Sequence, residues 1–288
     1  MSFSDFSTIQ VPDGDGQVSL RVSDSGGDGA PVVLIHPWPQ RQEIWDRQHT
    51  ALTGSGYRVV SYDRAGFGES EPSNGEVYSY ERLTQHLNGV MEALDLKDAT
   101  LVGWSMGGGE VARYVGTHGT DRLRGIVLLA AIPPFLLKTE DNPEGPLTDE
   151  AWQEMNQAIV QDAAAVEAQV VEAFYTVDGK LLVDEATKAQ AIEWAGTADP
   201  TAVARCQEAF STTDFRADLA KVDVPAAIIH GDSDSIVPLE YSGARAHAAL
   251  PGSTLTVIEG APHGLGVTHA DQVDNALLAF LASTAPRD

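Results

Sequence analysis

The sequence predicts an α/β fold, with a mostly parallel central sheet, helices on both faces and an inserted helical cap. Three observations carry this reading. Short unbroken branched runs such as Val32-Val33-Leu34-Ile35 recur along the chain, helix-length segments separate them, and one long stretch rich in Ala, Glu and Gln interrupts the alternation. A strand that is apolar at every position needs both faces of its sheet covered, and parallel strands joined by helical crossovers are covered in that way.

The elements follow in order. Residues 17–23 alternate polar with apolar after a Gly/Asp cluster, which suits a half-exposed early strand. Buried strands are expected at residues 32–35, at Val59-Val60 after Gly56, at Leu101-Val102, at 126–129 and at 226–229. Helices are expected over residues 80–94 and from Met106 to Val115. After Ala130-Ala131-Ile132-Pro133-Pro134 the alternation stops, and residues 148–212 show helical spacing without a buried-strand run. It resumes at Val222 and continues through residues 239–250, 254–258 and a last helix over about 271–281. The expected organisation is therefore one core, residues 1–133 and 219–288, bracketing a helical cap at 134–218. No internal repeat, low-complexity tract or long linker marks a second independent unit.

A length of 288 residues fits one large sheet with an insertion, and 43% hydrophobic with 21% charged residues is the balance of a folded protein. A formal net charge of −24 sets up a field that repels phosphate backbones and anionic lipid heads, so nucleic acid is excluded as an expected partner. The same charge suits a heavily solvated surface or adaptation to high salt, and composition does not separate the two. The chain has no run of 18 or more apolar residues, so no membrane partner is expected. Met1-Ser2-Phe3-Ser4-Asp5-Phe6 has neither a basic region nor an apolar run, and the expected compartment is the cytoplasm. Cys206 stands alone in an Ala-rich helical segment and is expected as a small packing residue. Without a metal-spaced His/Cys cluster, no metal or cofactor is expected. A homo-oligomer is possible if the insertion leaves an apolar face exposed.

Gly103-Trp104-Ser105-Met106-Gly107 fits G-x-S-x-G where a buried strand meets a helix. A strand-to-helix turn this sharp strains the backbone at the serine, and small residues two before and two after it avoid clashes. The helix start also aims unpaired N–H groups and partial positive charge at the hydroxyl, favouring an anion there. Ser105 is the expected nucleophile. A hydroxyl needs a base, and His263 in Gly260-Ala261-Pro262-His263-Gly264 follows the last strand on a small-residue loop that could raise the ring to the sheet's carboxyl edge. His86, His118, His247 and His269 lie in helical segments and are expected at the surface. The imidazole needs a carboxylate partner, and His230-Gly231-Asp232-Ser233-Asp234 supplies two. Asp234 reaches further past the strand, and Asp232 reads as a turn former bonding local backbone, so Asp234 is preferred. Two backbone donors should face a developing oxyanion. Met106 supplies one. The other comes from the loop Leu34-Ile35-His36-Pro37-Trp38-Pro39, where proline has no N–H and Trp38 is left; His36 reads as structural. Trp104, Ile132, Phe135 and Leu136 are candidate walls of an apolar acyl pocket.

These residues resemble the α/β-hydrolases known as cofactor-free haloperoxidases or perhydrolases, which are close to aryl esterases. The similar blocks are Leu34 to Pro39, Tyr62-Asp63-Arg64-Ala65-Gly66-Phe67-Gly68-Glu69-Ser70, Gly103 to Tyr114, His230 to Asp234 and Gly260 to Leu265. The resemblance implies Ser105, Asp234 and His263 as a triad, Trp38 and Met106 as oxyanion donors, and no haem, vanadium or flavin. It departs from the group at His36-Pro37, where His-Gly is usual, which stiffens the loop and removes one N–H. It departs again at Arg64-Ala65-Gly66, where Arg-Arg-Gly is commoner, and this is expected as a surface change. Pro39 after the oxyanion residue accompanies peracid formation in this group, because the ring pushes the Trp38 carbonyl toward the acyl group, where it could accept a hydrogen bond from hydrogen peroxide. The expected substrates are a small acyl ester with water or hydrogen peroxide. A hydrolase of lactones or C–C bonds on the same triad, or a receptor on this scaffold, remains the alternative.

Overall fold

The structure is a computed structural model and describes residues 6–284. The reading of Met1 to Asp5 as lacking a secretory signal, and the outermost ends of the expected core at 1–5 and 285–288, lie outside the described residues. Strands β1 (Phe6–Asp13), β2 (Gly16–Asp24) and β3 (Pro31–Ile35) lead to α1 (Asp46–Gly54), β4 (Arg58–Tyr62), α2 (Tyr80–Ala93), β5 (Ala99–Trp104), α3 (Met106–His118) and β6 (Leu123–Leu129). There follow α4 (Asp149–Phe174), the hairpin β7 (Thr176–Val177) and β8 (Lys180–Leu181), α5 (Glu185–Ala195), α6 (Pro200–Thr212) and α7 (Arg216–Leu219). The chain closes with β9 (Ala226–Gly231), α8 (Gly243–Ala249), β10 (Thr254–Ile258), α9 (Leu265–Thr268) and α10 (Ala270–Ser283).

Eight strands form one sheet in the order β1-β2-β4-β3-β5-β6-β9-β10, parallel from β4 to β10 and antiparallel at β1–β2 and β2–β4. Strand alternation explains the unbroken apolar runs. Val33, Ile35, Leu101, Ile126 and Ile228 face one core with Leu83, Leu87 and Val90 of α2 and Val111 of α3. Val32, Leu34, Val102, Val127 and Ile229 face the other, with Leu52 of α1 and Val273 and Leu277 of α10. Each residue of these central strands therefore has a helix to pack on, whichever way it points.

Helices α4 to α6 form the cap, between β6 and β9. α4 is broken at Asp162 (φ −157°, ψ 83°), whose carboxylate accepts from the Ala165 N–H at 3.0 Å and restarts the helix. The sequence reading missed the β7–β8 hairpin, which turns on Asp178 and Gly179, both at positive φ, where an Asp-Gly pair suits a two-residue turn. It also missed β1. That strand buries only Val11 and Asp13 and carries Pro12, so its alternation is weak, and proline is tolerated because the strand is at the sheet edge.

β1 changes the reading of His86. Expected at the surface, it is buried: its Nε2 lies 3.0 Å from Asp13 Oδ1, which also accepts from Ser73 Oγ at 2.9 Å and from Arg82. Ala65 is a second correction, since it is fully buried in the core rather than at the surface. Burial by itself would raise the Asp13 carboxyl, but hydrogen bonds from Asn74, His86, Arg82 and Ser73 outweigh it and hold the group at about 2. Burial also lowers His86, against the pull of Asp13. Both groups are depressed, so their stabilisation is present at neutral pH and is lost on acidification. The Asp13 share goes as pH falls from the unfolded carboxylate value of about 3.9 toward the folded value. Asp13→Asn should cost roughly 2 kcal/mol at neutral pH, the size of hydrogen bonds to a charged group. Calorimetric melting of both proteins from pH 7 to 2.5 checks this: the gap in Tm should hold down to about pH 4 and narrow below it, and a gap unchanged at about pH 2.5 would refute the ionic origin.

Candidate active site

Ser105 sits between β5 and α3 with φ 55° and ψ −118°, a strained conformation for a residue with a side chain. The reason is close packing: a Cβ on Gly107 would collide with the Ile35 carbonyl oxygen, and one on Gly103 with the Gly107 carbonyl. The two glycines let α3 start directly against β3 and β5. Ser105 N–H donates to Leu129 O at 2.9 Å, and its own carbonyl accepts from Gly108 N–H at 3.0 Å, so the turn is held on both sides. Met106 is the first residue of α3, where helix geometry leaves the N–H without an acceptor in the helix.

His263 and Asp234 come from the loops after β10 and β9. His263 Nδ1 donates to Asp234 Oδ2 at 2.7 Å, while Asp234 Oδ1 accepts from the Ile236 and Val237 N–H groups at 2.9 and 2.8 Å. Burial by itself would raise the Asp234 carboxyl, but His263 and His230 beside it hold it well below the usual carboxylate range. The carboxylate accepts the Nδ1 proton, so Nε2 carries the free lone pair. Among the described residues that Nε2 is buried and has no hydrogen-bond partner. Phe174 stacks edge-on against the ring at 4.7 Å, and Trp104 Nε1 donates to the His263 carbonyl at 3.0 Å. Asp232 is exposed; its Oδ1 accepts from the neighbouring Ser233 Oγ at 3.1 Å and from Gly260 N–H at 2.7 Å, so it ties the two loops together rather than bonding the backbone of its own turn.

Ser105 and His263 open on one cavity of about 180 Å³, which Trp38, Ile132 and Leu136 also line. Two of the four expected pocket walls, Trp104 and Phe135, lie elsewhere, as does Pro39, expected beside the acyl group. Trp104 follows the β5 alternation into the second core with Val102, wholly buried against Trp45. Phe135 lies under the Arg216 guanidinium, 5.4 Å from its ring centroid, and Pro39 is outside the lining. The cap supplies walls that sequence reasoning did not single out: Met155, Val170 and Phe174 of α4 and Phe210 of α6, with Ile236 and Val237 from the Asp234 loop. Their helical spacing was visible, but which face met the sheet was not.

The loop holding Trp38 is fastened from below and above. His36 Nε2 accepts the Arg64 N–H at 2.9 Å, so Nδ1 bears the proton and donates to Pro37 O at 3.0 Å. Burial, with the Arg64 charge, pushes His36 far below the ordinary imidazole range, and the ring stays neutral. Arg64 Nη2 also donates to His36 O at 2.8 Å and pairs with fully buried Glu110, which accepts from Tyr62 as well. Pro37 O accepts from Gln40 N–H at 3.0 Å, the Trp38–Pro39 bond is cis, and the Trp38 indole donates to Val203 O of α6 at 3.2 Å. His36 is thus structural. Cys206 is fully buried, and burial pushes its thiol up to about 12.

A serine on a strained elbow, an imidazole with a free nitrogen and a buried carboxylate, all at the carboxyl edge of a parallel sheet, define a hydrolase of the serine-nucleophile class. Comparison with known proteins agrees with this. The model of the alpha/beta hydrolase fold matches residues 30–270. A protein named putative non-heme chloroperoxidase from Synechocystis is 44% identical, covering 88% of this chain and 92% of its own. The crystal structure of a bromoperoxidase from Bacillus anthracis superposes with a TM-score of 0.91 at 43% identity, covering 96% of this chain and 100% of that one. A bifunctional esterase/perhydrolase from Acinetobacter calcoaceticus is 32% identical, covering 92% of this chain and 97% of its own. The chain belongs to the alpha/beta hydrolase family, in its non-heme haloperoxidase, perhydrolase and esterase group.

Proposed function

We propose that the protein hydrolyses and perhydrolyses small acyl esters through an acyl-enzyme on Ser105. His263 takes the hydroxyl proton at Nε2 as Ser105 attacks the acyl carbonyl, and Asp234 holds the imidazole in that tautomer and stabilises its charged form. The Met106 and Trp38 N–H groups hold the oxyanion. His263 then protonates the leaving alcohol and activates water, giving acid, or hydrogen peroxide, giving peracid. Halide is oxidised afterwards by released peracid, which fits the non-heme haloperoxidase names among relatives. The observation that carries the reading is the buried, unpartnered Nε2 of His263 in the cavity on which Ser105 opens. Residues 134–218 serve as the cap closing an apolar cavity sized for short acyl groups.

The test is turnover of p-nitrophenyl acetate with and without hydrogen peroxide, with peracid measured separately and acyl-enzyme trapped by acid quench for intact-mass analysis. Acetate on the Ser105 peptide together with peracid supports both halves. Nitrophenol release without peracid keeps the esterase and removes the perhydrolase. Pro39→Leu should lower the ratio of peracid to acid formed while leaving nitrophenol release within about threefold of wild type, since it touches the choice of acceptor and not acylation. An unchanged ratio would remove Pro39 from that choice.

A further inference from the structure

The cavity on which Ser105 and His263 open has one sulfur in its wall, Met155 of α4. Of the chain's four methionines, Met91 and Met106 are fully buried in the core, and neither lines that cavity. Met155 is half-buried on the arm of α4 before the break at Asp162, in a cavity wall whose apolar members include Leu147 and Phe210. Among the side chains lining this cavity the thioether is the most readily oxidised, and a peracid is a far better oxygen donor to sulfur than hydrogen peroxide. Cys206 does not compete, because it is sealed from solvent and its thiol is held protonated.

We propose that Met155 is a self-modification site, converted to its sulfoxide by the peracid the enzyme makes. The inference rests on the perhydrolase reading above. The sulfur lone pair attacks the terminal peroxy oxygen, the O–O bond breaks, and the hydroxyl proton passes to the departing carboxylate. One peracid and one thioether give one carboxylic acid and one sulfoxide, with the sulfur oxidised by two electrons and the peroxy group reduced by two. A polar, chiral sulfoxide in an apolar acyl wall disfavours apolar acyl groups, so peracid production limits itself with turnover. Plain ester hydrolysis in water leaves Met155 intact.

The experiment incubates the enzyme with p-nitrophenyl acetate and hydrogen peroxide, with excess free methionine as a scavenger of released peracid. Peptide mass spectrometry follows the gain of one oxygen at each methionine, and peracid is assayed in parallel without scavenger. The expected result is oxidation at Met155 ahead of Met91 and Met106, growing with turnovers and surviving the scavenger. It should be absent with peroxide alone and absent in Ser105→Ala. Activity should fall in step, and Met155→Leu should lose a smaller fraction of its own initial rate over the same turnovers. Peracid formation with Met155 unmodified, or modification abolished by the scavenger, overturns this proposal and leaves the perhydrolase reading standing. Absence of peracid in the parallel assay overturns that reading and this proposal together.

Discussion

Ser105→Ala should lower kcat for p-nitrophenyl acetate by about 10⁵ while the protein stays folded, because removing a nucleophile from a serine-histidine pair costs that order and leaves only binding and oxyanion stabilisation. The fold has little reason to respond. The Ser105 side chain makes no capping bond to α3, and alanine meets the same backbone strain at φ 55°. Its Tm should therefore stay within a few degrees of wild type, less than about 1 kcal/mol of change. KM should change little, since the apolar walls that hold the acyl group remain. A variant keeping more than about one hundredth of the wild-type kcat would remove Ser105 from the reaction. Acid-quenched variant should also carry no acetyl group.

Asp234→Asn should lower kcat by about 10⁴, for a reason the hydrogen bonds state directly. Asp234 Oδ1 accepts two backbone N–H groups and Oδ2 accepts from His263, 3.4 Å from His230 Nε2. An asparagine has one oxygen. If that oxygen keeps the two backbone bonds, its NH₂ faces His263 Nδ1, which must then accept, and the ring proton moves to Nε2. The nitrogen facing Ser105's cavity becomes a donor and no longer takes a proton. The measurement is steady-state kinetics with ¹⁵N spectra of the imidazole: a low kcat with Nε2 protonated is the expected pair, and near wild-type activity would break the tautomer argument.

Much of the site was legible because its constraints are local. A serine between glycines at a strand-to-helix junction says what the backbone must do there, whatever surrounds it. The order of Ser105, Asp234 and His263 along the chain, with each after a strand, points all three to the same sheet edge. The choice of Asp234 over Asp232 followed from reach past the strand, and the structure brings Asp234 to His263 while Asp232 bonds Gly260.

The amino-acid pattern by itself determined the parallel sheet, its two apolar cores and the junction that presents Ser105, because alternation and turn chemistry act between near neighbours in sequence. Tertiary structure alone decided the rest. The burial of His86 depends on an edge strand, β1, that lies more than seventy residues away in the chain and has too little apolar alternation to announce itself. The cavity walls depend on which face of a broken α4 meets the sheet, and helical spacing without a partner does not say. Trp104 was assigned to the pocket by adjacency to Ser105, yet the pleat of β5 turns it to the opposite core, where it holds His263 by the main chain. Local geometry follows from covalent and near-neighbour sterics, whereas a wall, a clamp or a buried pair exists only once distant segments have paid the entropy of meeting.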